Sequence, residues 1–221
     1  MKTLLFSTLI AIATYSPLAI WSAQTIDTAG QPTIGNPEAL IHVVAFLEPK
    51  CPDSKRYNNA SFPKLKAEFI DTNKISYTVI TTSFLSQSMP AAIALLCIYN
   101  QAPNAPHTDL FFKYLDYIYL NQPPEKENWA TIETLLKFAD NVSPEIDQKQ
   151  LKNCIEKKSY SSQVEKNTAY GNKLMGHLST PTIYVNGVKI ENSNETIDYE
   201  NLKKAIQQAQ GQSLNLEMGA L

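Results

Sequence analysis

The chain has 221 residues, 43% of them hydrophobic and 18% charged, with a formal net charge of −2. That length builds one medium domain with its own core and is too short for two comfortable ones. The near-neutral balance, without a long basic or acidic run, argues against a nucleic-acid surface or a polybasic membrane patch.

Residues 3–23 carry no charge. Lys2 precedes an apolar run from Leu4 to Ala13, and Ser22-Ala23 supplies small residues for cleavage. The pattern, over residues 1–23, is that of a secretory signal peptide. Trp21 fits poorly at the third position before that cut. The rival reading is an uncleaved membrane anchor, because the uncharged stretch is just long enough to span. No cysteine follows closely enough for a lipoprotein anchor.

Residues 24–38 are polar and rich in turn formers. Ile41 to Leu47 is a continuous apolar run, the mark of a strand buried on both faces. After Glu48-Pro49-Lys50-Cys51, Pro52 suits the first turn of a helix, where its missing N–H is not needed. Phe62, Leu65, Phe69 and Ile70 give that helix an apolar face, and Pro63 kinks or splits it. Ile75 to Phe84 reads as a second strand, so the chain opens strand, helix, strand, with a parallel crossover. Residues 88–176 read as helices over 89–101, 108–120, 128–140, 144–157 and 160–176, punctuated by prolines. Pro181 to Val185 and Val188 to Glu191 form a hairpin about Asn186-Gly187. A final helix starts at Asp198, and residues 211–221 read as a loose tail. The fold class is α/β: a thioredoxin fold whose two segments, 24–87 and 177–210, enclose a helical insertion at 88–176.

Cys51 sits between a buried strand and a helix N-terminus, where unpaired N–H groups and the helix dipole favour a thiolate. Lys50, Lys55 and Arg56 add positive charge, and Asp53 opposes it. The thiolate is the species that attacks disulfides. The alternative is an incidental buried cysteine.

Gly35-Asn36-Pro37-Glu38-Ala39, the strand ending Phe46-Leu47-Glu48, the Cys51-Pro52 pair and Ser179-Thr180-Pro181-Thr182-Ile183-Tyr184-Val185-Asn186-Gly187 together resemble the DsbA-like thioredoxin-fold family, over residues 35 to 208. The resemblance implies that Pro181 is cis and faces Cys51. It also implies that the backbone near Thr180 pairs with an extended client segment by strand addition. Two departures stand out. The family motif is usually Cys-X-X-Cys, whereas the fourth position here is Ser54. The family also often carries a buried acid six residues before the first cysteine, thought to serve the second thiol. Here that residue is Ala45. A buried carboxylate is costly without a task, so loss of both groups is consistent with a changed mechanism. Ser54 is read either as a hydrogen-bond donor to the Cys51 thiolate or as a small residue tolerated in the first turn.

Cys97 and Cys154 both point inward by helical spacing, and are read either as a bridge tying two helices or as two buried thiols. His42, His107 and His177 show no metal-ligand spacing, and no metal or cofactor is expected. Glu48 is read as a solvated loop carboxylate, with a place near Cys51 as the alternative. The aromatic run Phe111 to Tyr119 reads as helical core.

The function these features point to is that of an exported, periplasmic or otherwise extracytoplasmic, monothiol disulfide-exchange protein, more isomerase- or reductase-like than oxidising. Cys51, Pro52 and Ser54 form the centre, and Thr180 and Pro181 hold the client. Its partners are protein thiols and disulfides. A client thiol, glutathione or a membrane redox partner releases the mixed disulfide. It contacts no nucleic acid, and a membrane only through an uncleaved leader. The rivals are a non-redox peptide-binding or chaperone module using the same groove, and a structural envelope protein with a degenerate site.

Overall fold

The computed structural model describes residues 23–191 and 197–219. The leader therefore lies outside the described residues, apart from Ala23. No described helix is long and apolar enough to cross a membrane.

Five strands form one sheet: β1 (Thr33–Gly35), β2 (His42–Leu47), β3 (Ser76–Thr81), β4 (Thr182–Val185) and β5 (Val188–Lys189), in the spatial order β1-β3-β2-β4-β5. The central strand, β2, runs parallel to β3 and antiparallel to β4. Its apolar run serves both faces. Val43, Ala45 and Leu47 join the large core under the helices, while Val44 and Phe46 pack with Ile80, Leu178 and Tyr184 on the other side. The polar segment 24–38 holds a short strand, β1, that its composition does not predict. It pairs antiparallel with β3 through Thr33↔Thr78 and Gly35↔Ser76, and three residues are too few to show alternation.

The helix opened by Pro52 is divided at Pro63. It comprises α1 (Pro52–Ala60), α2 (Phe62–Leu65) and a π-helical turn over Lys66–Ile70. Five helices follow in the insertion: α3 (Met89–Tyr99), α4 (Thr108–Asn121), α5 (Ile132–Val142), α6 (Gln148–Glu156) and α7 (Ser161–Met175). The third and fourth begin four residues later than their apolar patterns suggest, because caps set the boundaries. Thr131 Oγ1 accepts from Thr134 N at 3.2 Å, and Asp147 Oδ1 accepts from Lys149 N and Gln150 N, both at 2.9 Å. The last helix, α8 (Tyr199–Gly219), corrects the loose tail expected after Gly211. Its extension is rich in helix formers, and one interior glycine costs only about 1 kcal/mol.

Close approach requires glycine at Gly187 and at Gly171, among others. Gly187, at φ +77°, completes the β4–β5 turn, and a Cβ there would lie 2.0 Å from Gln24 O. Gly171 brings α7 onto the sheet, where a Cβ would meet Leu178 at 2.8 Å and Phe46 at 3.3 Å.

Helix α3 is buried from Ala91 to Tyr99 and forms the middle of the insertion. Cys97 on it is bridged to Cys154 on α6, with a Cα–Cα distance of 6.0 Å. The bridge spans 57 residues of sequence. By loop-closure entropy, replacing both cysteines with serine should lower unfolding stability by about 4 kcal/mol, measurable by urea titration.

Candidate functional site

Strand β2 ends at Leu47, and the chain turns through Glu48-Pro49-Lys50 before α1 begins. Cys51 is the N-cap residue of α1, with extended φ/ψ of −69° and 123° and Pro52 directly behind it. It is only 7% exposed and is the free cysteine among the described residues. Antiparallel pairing of Phe46 with Thr182 carries the segment before β4 across to the same end of the sheet. The Thr180–Pro181 bond there is cis, and the Cys51 thiol donates to Thr180 O at 3.2 Å. Residues 129 apart in sequence thus meet at one sulfur. Thr180 is buried, and its Oγ1 makes no hydrogen bond.

The cations expected beside Cys51 are committed elsewhere. Lys50 is buried, and its Nζ donates to Ser86 O at 2.9 Å and Glu127 O at 3.0 Å, so two loops are strapped to the site. Lys55 Nζ donates to Gln122 O, and Arg56 pairs with Asp53. The amide groups of the helix start remain as the positive end nearest the sulfur.

Ser54 is fully buried. Its Oγ accepts from Glu48 N at 3.4 Å and leans on the phenol of Tyr119. No hydrogen bond joins it to the Cys51 sulfur among the described residues. In this arrangement it seats the turn before α1.

The solvated reading of Glu48 is corrected. The residue is not a solvated loop carboxylate but has no exposed surface at all. Oε2 accepts from Lys50 N at 2.8 Å, whereas Oε1 makes no hydrogen bond of ordinary geometry. Burial pushes its pKa from 4.5 up to about 7, against weaker opposing support from Ser88, the amides of Lys50 and Cys51, and the Lys50 charge. Tyr119 donates to Glu48 O at 3.2 Å, and burial holds its phenol neutral well beyond the ordinary range. The sequence signal for this group is slight: an acid one residue past the end of a doubly buried strand. The aromatics of α4 otherwise form core, with Phe111, Tyr114 and Tyr119 fully buried.

The histidines lie elsewhere. His42 is exposed on β2 and bonds Ser76 Oγ at 2.7 Å, His107 bonds Gln101 O at 2.9 Å, and His177 is exposed. No cluster of metal-ligating side chains occurs among the described residues.

A family model described as Thioredoxin matches residues 27–208. The chain belongs to the DsbA-like thioredoxin-fold family. Disulfide bond formation protein D of Bacillus subtilis (strain 168) is 32% identical over 182 residues, covering 80% of this chain and 76% of that protein. The crystal structure of Chlamydia trachomatis DsbA superposes with a TM-score of 0.77 at 34% identity, over 84% of this chain and 94% of that one. Oxidised BdbD from Bacillus subtilis gives 0.75 at 30% identity, over 85% and 96%. Against this DsbA-like background, the buried carboxyl one residue past β2 accompanies Ala45 within the strand.

The raised Glu48 pKa sets a sign for stability. Below about pH 4.5 the carboxyl is neutral in both folded and unfolded chains, so it contributes nothing. As pH rises from 4.5 towards 7 the unfolded chain ionises first, and stability falls until the folded group also ionises. Glu48→Gln should therefore be more stable than the parent above pH 7, by about 3 kcal/mol at most. The gap should close towards pH 4.5, as read by urea unfolding across pH.

Proposed function

We propose that this chain is an exported monothiol disulfide-exchange protein acting through Cys51. The observation that carries the reading is the 3.2 Å contact between the Cys51 sulfur and Thr180 O, beside the cis bond to Pro181. It joins a nucleophile at a helix start to a short stretch of backbone ahead of β4 on which an extended client segment can align. Relatives named disulfide bond formation protein D and DsbA support the chemistry. The uncharged leader supports export.

The Cys51 thiolate attacks one sulfur of a client disulfide. A Cys51–client S–S bond forms, the client S–S bond breaks, and the second client sulfur leaves as thiolate with the electron pair. A second thiolate, from the client, glutathione or a membrane redox partner, then attacks the client sulfur of the mixed disulfide. Cys51 leaves as thiolate. Electrons balance at each step, and no oxidising bond is stored, because Ser54 stands where a resolving thiol would be and the other two cysteines are bridged. This makes isomerase- or reductase-like work the favoured direction. Pro52 starts the helix that stabilises the thiolate, and Ser54 holds the turn.

The burial of Cys51 also favours a second reading, client binding in the same groove without turnover. The two differ in one experiment. Incubation with a scrambled disulfide-bonded protein should yield a mixed disulfide at Cys51 by mass spectrometry, together with reshuffled product. Cys51→Ser should abolish both, and unchanged shuffling in that variant would sink the exchange reading. Client binding retained in Cys51→Ser, without any adduct in the parent, would establish the second. Ser54→Cys should form a disulfide between Cys51 and the introduced thiol and gain dithiol oxidase activity.

A further inference from the structure

We infer that the end of the sheet opposite Cys51, made by Gln24, Leu40 and the Asn186-Gly187 turn, rests on a lipid bilayer in which residues 3–23 are retained as an anchor. The site then points away from the membrane. The inference deepens the exchange reading and rests on it for export alone.

The chain leaves the folded body at one defined place. Gln24 N donates to Gly187 O at 2.9 Å. Asp27 N donates to Tyr170 Oη at 3.0 Å, and Gln31 Nε2 donates to Asn167 Oδ1 at 2.9 Å. Ile26 packs against the core of Val44, Phe46 and Tyr184. The body therefore begins directly after the uncharged run, with no slack between them. Whatever holds that run holds the β4–β5 turn against it.

That turn and the site lie at opposite ends of the sheet. Val185 pairs with Val43 at the start of β2, and Thr182 pairs with Phe46 near its end, past which Cys51 and Thr180 meet. The six residues of β2 keep the two ends about 20 Å apart, at about 3.3 Å per residue. Asn186 Nδ2 donates to Leu40 O at 3.1 Å, so Leu40 belongs to the turn's end, and it is 58% exposed. The other large apolar side chains exposed among the described residues sit towards the site. Phe84 follows β3 past its pairing with Leu47, and Leu120 adjoins the Tyr119 that reaches Glu48 O.

The occupant follows from the sequence that ends there. No residue between Lys2 and Asp27 is charged, and a spanning helix needs about 20 predominantly apolar residues. Lys2 keeps the amino-terminal side in the cytoplasm by the positive-inside rule, which sends the body outside. Trp21, poor before a cut, is a residue type enriched at the membrane–water boundary. A protein docked on Leu40 would leave the uncharged run unaccounted for. In this orientation a resolving thiol reaches Cys51 from the aqueous side. The client or a small thiol then releases the mixed disulfide more readily than a partner sealed in the bilayer.

The full chain, expressed with export, should stay in the membrane pellet through alkaline carbonate, and its intact mass should include residues 3–23. Release into the soluble fraction, or a mass lacking that run, overturns the proposal. For orientation, Leu40→Cys and Glu127→Cys are each made in a Cys51→Ser background, where the Cys97–Cys154 bridge leaves one thiol for a fluorophore. Glu127 is exposed, and its carbonyl is tied to the site by Lys50 Nζ. In phosphatidylcholine–phosphatidylglycerol vesicles, lipid with a nitroxide head group should remove most of the emission at position 40 and leave position 127 unchanged. Equal quenching at both, or none at position 40, overturns the proposal. Each of these failures leaves exchange through Cys51 standing. A retained and correctly oriented protein that forms no mixed disulfide defeats the exchange reading alone.

Discussion

The site exists because β2 and β4 pair antiparallel in one register, Val43 opposite Val185 and Phe46 opposite Thr182. That register sets the Thr180 carbonyl against the sulfur at the far end of β2. A slip of one residue would move the carbonyl away. It would also turn the strand's alternate side chains to the opposite face, exchanging Val43, Ala45 and Leu47 with Val44 and Phe46. Burial on both faces penalises that slip, so the same apolar run that builds the core also fixes the chemistry. The hairpin turn adds a further lock, since Asn186 Oδ1 accepts from His42 N at 2.7 Å and Asn186 N donates to His42 O at 2.9 Å.

The helical insertion does more than cover the sheet. One of its loops, at Glu127, and the approach to it at Ser86 accept the two hydrogen bonds from the buried Lys50 ammonium, which would otherwise be costly to keep from water. Tyr119 of α4 reaches the Glu48 carbonyl, and Gln122 approaches Lys50 O at 3.5 Å. The turn before Cys51 is thereby held from the insertion side while β4 holds the sulfur from the other. The Cys97–Cys154 bridge ties α3 to α6 within that support.

Much of this was legible in the sequence. A run such as Ile41–Leu47 has few alternatives to a doubly buried strand, and Cys51-Pro52 behind it marks a helix start by the proline's missing donor. Asn186-Gly187 supplies the positive φ values, 46° and 77°, that its turn needs. Other features leave no local signature. Strand β1 is too short for a period and exists because β3 offers an edge. Glu48 and Lys50 flank a proline in a polar turn, where hydrophobicity argues for solvent. Only the later packing of α4 and the loops near Ser86 and Glu127 encloses them. Burial of a charge is a tertiary outcome, and local composition argues against it. Ser54 shows the same limit, because helical spacing brings it near Cys51 but the partner it takes is Glu48 N.

The position of the buried acid has a physical logic. Ala45 lies between Val79 and Ile183 in the middle of the sheet, where neighbouring N–H groups are occupied by the strand ladders. A carboxyl there would find apolar walls and no donors, and would be driven towards its neutral form. Glu48 lies one residue beyond the ladder, where the turn leaves the Lys50 amide free to point at a carboxylate. Desolvation and donor support then oppose each other, and the balance falls near neutral pH rather than far above it.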